Sequence, residues 1–130
     1  MQRLMNNPLG SVEYDAARKL VIFRRTSLAI EQALTDETHQ QALAVLRPVR
    51  GQRMLADLRL APGNNSAASE AKGQQLRRDL RELFPCSATL VATAVGRLQV
   101  LRMARERSEP MVVFFSEEEA IAYLMTQPVP

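Results

Sequence analysis

A chain of 130 residues suits one domain with one core. Its 46% apolar and 24% charged residues exclude a disordered segment, and the absence of Trp leaves the core to Leu, Val, Ile, Ala and Met. The net charge of +3 is spread, with acids between the arginines and with Lys19 and Lys72 as the only lysines, so the dense, aromatic-interleaved basic patch of a nucleic-acid binder is missing.

Residues 1–10, MQRLMNNPLG, have no hydrophobic period and close on Pro8-Leu9-Gly10. They read as a flexible arm, with the domain itself spanning 11–127. Val12 and Tyr14 then alternate with Ser11, Glu13 and Asp15, and residues 20–23 are a continuous apolar run of β-formers. The short gap between the two predicts a hairpin. Residues 27–46 lack Pro and Gly and predict a helix, with Thr35-Asp36-Glu37 as a second start signal inside it. Leu34, Ala42, Val45 and Leu46 are its expected core contacts, His39 is expected on its surface, and Pro48 and Gly51 end it.

Residues 53–60 predict a central strand. Residues 66–84 give the clearest amphipathic helix, with Leu76, Leu80, Leu83 and Phe84 on one stripe and Gly73 on the same face. Arg77, Arg78 and Arg81 alternate with Asp79 and Glu82 on a solvated face. After Pro85, residues 88–93 form a short buried-type strand. Residues 94–107 form a helix with Leu98, Val100, Leu101 and Ala104 inward, and residues 111–115 form a fifth strand. Ser116, with Glu119 three residues on, opens a last helix as a capping box. The order β β α β α β α β α predicts an α/β fold: a mixed, mostly parallel sheet of about five strands, with an N-terminal β-hairpin and about four helices.

Cys86 is the sole cysteine, which excludes an intrachain disulfide and a cysteine-rich zinc site and reads as a core thiol. No apolar run approaches the ~20 residues of a membrane helix, and the first residues lack a signal-peptide hydrophobic region. A cytoplasmic protein without a membrane span is expected.

The element order, together with the stretch VLRPVRGQRMLADLRLAPGNNSAASEA, resembles the STAS superfamily of anti-sigma-factor antagonists. Asp57-Leu58 is similar to the strand end of that family. Asn64-Asn65-Ser66-Ala67 falls where the family carries an Asp-Ser-Ser-Gly element whose first serine is phosphorylated by a partner kinase. Here that acceptor position is Asn65, which cannot take phosphate, and Ser66 holds the second serine. The resemblance implies a STAS-like fold and a non-catalytic, regulatory protein-interaction role without the usual serine phosphoswitch. A looser group of bacterial STAS-like proteins of unassigned function is similar as well.

Parallel sheets gather sites at the carboxyl ends of their strands. Helix starts near Ser66, Thr93 and Ser116 converge there, and their free N–H groups favour anions. Arg97 falls within the apolar stripe of its helix, so a pocket for an anion is drawn from Asn64, Asn65, Ser66, Thr93 and Arg97. The competing reading makes Ser66 an N-cap, Asn64 and Asn65 turn residues, and Arg97 a snorkelling side chain. His39 has no nucleophile or acid patterned around it, no phosphate-loop fingerprint is present, and Glu117, Glu118 and Glu119 sit where a helix start favours negative charge. No enzyme activity, metal or cofactor is therefore expected. The leading expectation is a protein partner; the alternative is a domain that binds a small ligand or anion, such as a nucleotide or lipid. The oligomeric state stays open.

Overall fold

The computed structural model describes residues 1–63, 66–106 and 111–129. Strands β1 (Gln2–Asn6), β2 (Gly10–Asp15) and β3 (Leu20–Arg25) run antiparallel. Strands β4 (Arg53–Asp57), β5 (Ser87–Leu90) and β6 (Val113–Phe114) continue the sheet in parallel, and the spatial order equals the chain order. Helices α1 (Ile30–Ala33) and α2 (Asp36–Leu46), then a 3-10 turn at Arg47–Val49, link β3 to β4. α3 (Ala67–Leu83) links β4 to β5, α4 (Ala94–Glu106) follows β5, and α5 (Glu117–Met125) follows β6. The α/β class and the mixed sheet agree with the sequence reading, but the described residues hold six strands and five helices where about five and four were expected.

The sixth strand is β1. Residues 1–10, expected as a loose arm, pair with β2 from Gln2↔Tyr14 to Asn6↔Ser11. Only Met5 of this strand is buried, and a register shift between Arg3 and Met5 breaks the alternation, so no hydrophobic period announces it. Asn7 Oδ1 closes the following turn by accepting from the N–H groups of Leu9 and Gly10. Gly10 is required at the start of β2, because a Cβ there would lie 2.1 Å from the Arg24 carbonyl oxygen. The extra helix comes from the start signal at Thr35. Its Oγ1 accepts from the Thr38 N–H while Thr38 Oγ1 accepts from the Thr35 N–H, which separates α1 from α2. The strands β4 and β5 end at Asp57 and Leu90, earlier than residues 60 and 93.

Successive parallel strands that lie side by side, joined by crossovers of one hand, return their helices to one face. That face carries Val21, Phe23 and Met54 against Ile30, Ala33, Leu46, Leu76 and Phe84. The other face carries Leu20, Ile22, Leu55, Ala88 and Leu90 against Ala120 and Leu124 of α5. On α3, Leu76 and Phe84 are buried, whereas Leu80 and Leu83 are half-buried at the margin of the core. His39, expected at the surface, is half-buried, and its Nε2 lies 2.7 Å from Asp79 Oδ2, tying α2 to α3. Cys86 is half-buried beside the second core, and burial raises its thiol pKa.

Candidate functional site

The pair Arg24-Arg25 ends β3, and the two-residue period of a strand sends its side chains to opposite faces. Arg24 goes to the face covered by α5. Its register partner is Asp57 at the end of β4, and the two meet at 2.8 Å. Arg24 also reaches Glu13 at 2.9 Å and Glu117, in the first turn of α5, at 2.5 Å. Arg59 closes the group, with Asp57 at 2.9 Å and Glu117 at 3.2 Å. Burial pushes the Asp57 carboxyl up, but hydrogen bonds from Arg59 and Arg24 outweigh it and hold the group below its ordinary range. The bond from Arg24 likewise lowers Glu117, and in return Glu117 raises Arg24.

At the other end of α5, Arg53 donates from Nε to the Leu124 carbonyl at 2.8 Å and from Nη2 to that of Gln127 at 2.9 Å. Arg24 of β3 and Arg53 of β4 thus hold α5 at its two ends; the charge that complements the helix dipole is Glu117's own at the N-terminus and that of Arg53 at the C-terminus. In this five-residue network each of three carboxylates meets a guanidinium, and the group reads as the fastening of α5. It asks for no ligand.

Of the described residues singled out in the sequence, Thr93 lines a cavity beside α4, and Ser66 and Arg97 do not. Asn64 and Asn65 lie outside the described residues. Ser66 caps α3, its Oγ accepting from the Ser69 N–H at 3.0 Å, and it donates to Glu31 Oε1 of α1 at 2.5 Å. Ser69 Oγ donates to the same oxygen. These hydroxyls lower the Glu31 pKa, so a carboxylate stands where an anion was expected. Ser66→Ala is expected to lower stability by about 1 kcal/mol, the usual worth of an N-cap, in urea unfolding with unchanged m-value. Thr93 Oγ1 accepts from the Gly96 N–H at 3.0 Å and caps α4. Arg97 was expected to point at the sheet but is exposed. It stands in the first turn of α4, at the carboxyl edge where the sheet ends, so a stripe position there meets solvent.

Two features of the α4 region went unread in the sequence. Val100 and Ala104 are buried as expected and Leu101 is half-buried, but Leu98 is 66% exposed, as is Val95. The positions 95, 98, 102 and 105 follow helical spacing on one outer face, where Val95 and Leu98 are continued by exposed Arg102 and Arg105, with Arg97 alongside. Leu60 and Phe115, also exposed, lie at the carboxyl ends of β4 and β6. On its inner side α4 does not seal against the sheet. A cavity of about 310 Å³ opens between α3, α4 and the strands, reaching Phe23, Arg25, Ala56 and Val91.

Among the described residues, no group of three or more His, Cys, Asp or Glu side chains is placed to hold a metal ion, and no helix is long and apolar enough to cross a membrane. Comparison with protein-family models, with curated proteins and with solved structures gives no match.

Proposed function

We propose that this chain is a non-catalytic, regulatory protein-interaction domain, and that it docks its partner on the outer face of α4. The observation that carries the reading is the exposure of Val95 and Leu98 on one helix face, each at 66%, within a ring of exposed Arg97, Arg102 and Arg105. Neighbouring exposed apolar side chains rimmed by polar ones are the pattern of an interaction site. Glu106 is the sole acid of α4, in its last turn, 3.9 Å from Arg102. Charge complementarity therefore selects a protein surface with an apolar recess and an acidic rim. The role is the one that the STAS resemblance implies, and the capped, carboxylate-bonded Ser66 fits a domain that works without a serine phosphoswitch.

The test uses wild type, Leu98→Asp and Arg102→Glu as baits in extracts of the source cells, with sedimentation velocity on each. A partner with an acidic surface is expected on wild type, weakened by salt as rim charges are screened, lost on Leu98→Asp and reduced on Arg102→Glu. Equal retention by all three baits contradicts the reading. A wild-type dimer that Leu98→Asp dissociates would place a second copy of this chain on α4 instead of a different protein.

A further inference from the structure

The cavity beneath α4 carries a charge with which no carboxylate of the described residues pairs. Arg25, sent to this face by the period of β3, is only 6% exposed and forms part of the cavity wall. Its Nη1 donates to the Leu9 carbonyl at 2.5 Å and its Nη2 to that of Leu28 at 3.0 Å, with Thr26 Oγ1 at 3.5 Å from Nη1. None of these is an anion, and Nε has no acceptor among the described residues. The contrast with Arg24 is direct: one position earlier in the chain, the guanidinium meets three carboxylates. Burying a cation without an opposite charge is costly, and burial lowers the Arg25 pKa accordingly.

The rest of the cavity is apolar. Phe23, Ala56 and Val91 floor it from the sheet, Leu76 and Leu80 wall it from α3, and Val100 and Met103 wall it from α4. Ala56 belongs to a central strand yet is only half-buried, and Met103 and Leu80 are half-buried too, so the space is open to solvent. The polar residues that line it include Arg77, Arg102, Gln99 and Thr93, with Glu70 as the acid among the described residues. A volume near 310 Å³ is at the small end of the about 300–1,000 Å³ of ligand pockets, which pair apolar walls with a few placed polar groups.

We infer that this cavity binds a small amphipathic carboxylate, with the apolar body between α3 and α4 over Ala56 and the carboxylate on the guanidinium of Arg25. A carboxylate suits this site because a guanidinium presents planar paired donors to it and a charged acceptor strengthens the bonds about twofold.

The experiment is isothermal titration calorimetry of the full chain with decanoate below its micelle concentration, with decanol and inorganic phosphate as comparison arms. Decanoate is expected to bind in a saturable, one-to-one manner, more tightly than decanol, and phosphate is expected not to bind at this site. Arg25→Met should weaken decanoate by about ten- to hundredfold, the worth of a charged hydrogen bond, and leave decanol unchanged. Because Arg25 also holds the Leu9 and Leu28 carbonyls, that variant could lose its fold. Ala56→Leu keeps Arg25 and fills the cavity floor, and it should abolish decanoate binding. Absence of decanoate binding to wild type, equal affinity for decanol, or full binding by Ala56→Leu overturns the inference. Phosphate binding that Ala56→Leu leaves intact would overturn the apolar half of it.

Discussion

Asp57→Ala is expected to destabilise the chain by about 2–4 kcal/mol, measured by urea unfolding at neutral pH. The carboxylate is 6% exposed and sits between Arg24 and Arg59, so its removal takes away the acceptor of Arg24 Nη1 and of Arg59 Nε and Nη2 and leaves two guanidiniums facing each other across the space. A broken, fully buried pair costs about 3–5 kcal/mol. The lower range follows because water reaches both arginines and screens them. The same group sets an acid limb. Asp57 and Glu117 have folded pKa values below the ordinary 3.8 and 4.5, so the unfolded chain binds protons first as pH falls. Their stabilisation is complete above about pH 5 and disappears as pH drops through the depressed folded values. Stability should be flat from about pH 5 to 7 and fall below it, and Asp57→Ala should show a shallower acid limb than wild type. A steep loss between pH 5 and 7, or an unchanged acid limb in the variant, would show that the network does not fasten α5.

Phe84→Ala is expected to cost about 3–5 kcal/mol, the range for truncating a fully buried aromatic, and to be the most damaging single change to α3. Phe84 is 0% exposed and lies in the core formed by Val21, Phe23, Met54 and Leu46. It also ends α3, its N–H donating to the Leu80 carbonyl at 2.8 Å. Leu80→Ala should cost clearly less, because Leu80 is half-buried and borders the open cavity, where truncation adds to space already there. Thermal or urea unfolding of the two variants ranks them. An equal cost would mean that the cavity is closed in solution.

The hairpin, the helix stripe of Leu76 and Phe84, and the caps at Thr35, Ser66 and Ser116 were legible because each rests on residues within one or two turns of one another. The edge strand β1 was not, since a lone buried Met5 and a broken register leave no period to read. The site was harder for the same reason at longer range. Arg24 meets Asp57 across 33 positions and Glu117 across 93, and no local pattern carries that. The signal that could have been used was the Arg24-Arg25 pair itself: at the end of an apolar strand run, period two divides the pair between the faces and asks each face for a counter-charge. The outward Leu98 and Arg97 were misassigned because the stripe set by Val100 and Ala104 was extended into the first turn, past the edge of the sheet that would have covered it. The STAS resemblance concerned the element order and the 45–71 stretch, of which Asn64 and Asn65 lie outside the described residues.

The most direct measurement of the central claim places a photo-crosslinking amino acid at position 98, on the outer face of α4, and in a second protein at the exposed position 40 on α2. Both are irradiated in the source cells and the adducts identified by mass spectrometry. The interaction reading predicts one dominant adduct from position 98, formed through an acidic segment of a different protein, weakened when Arg102→Glu is added, and absent from position 40. No adduct from position 98, or the same adducts from both positions, would contradict it.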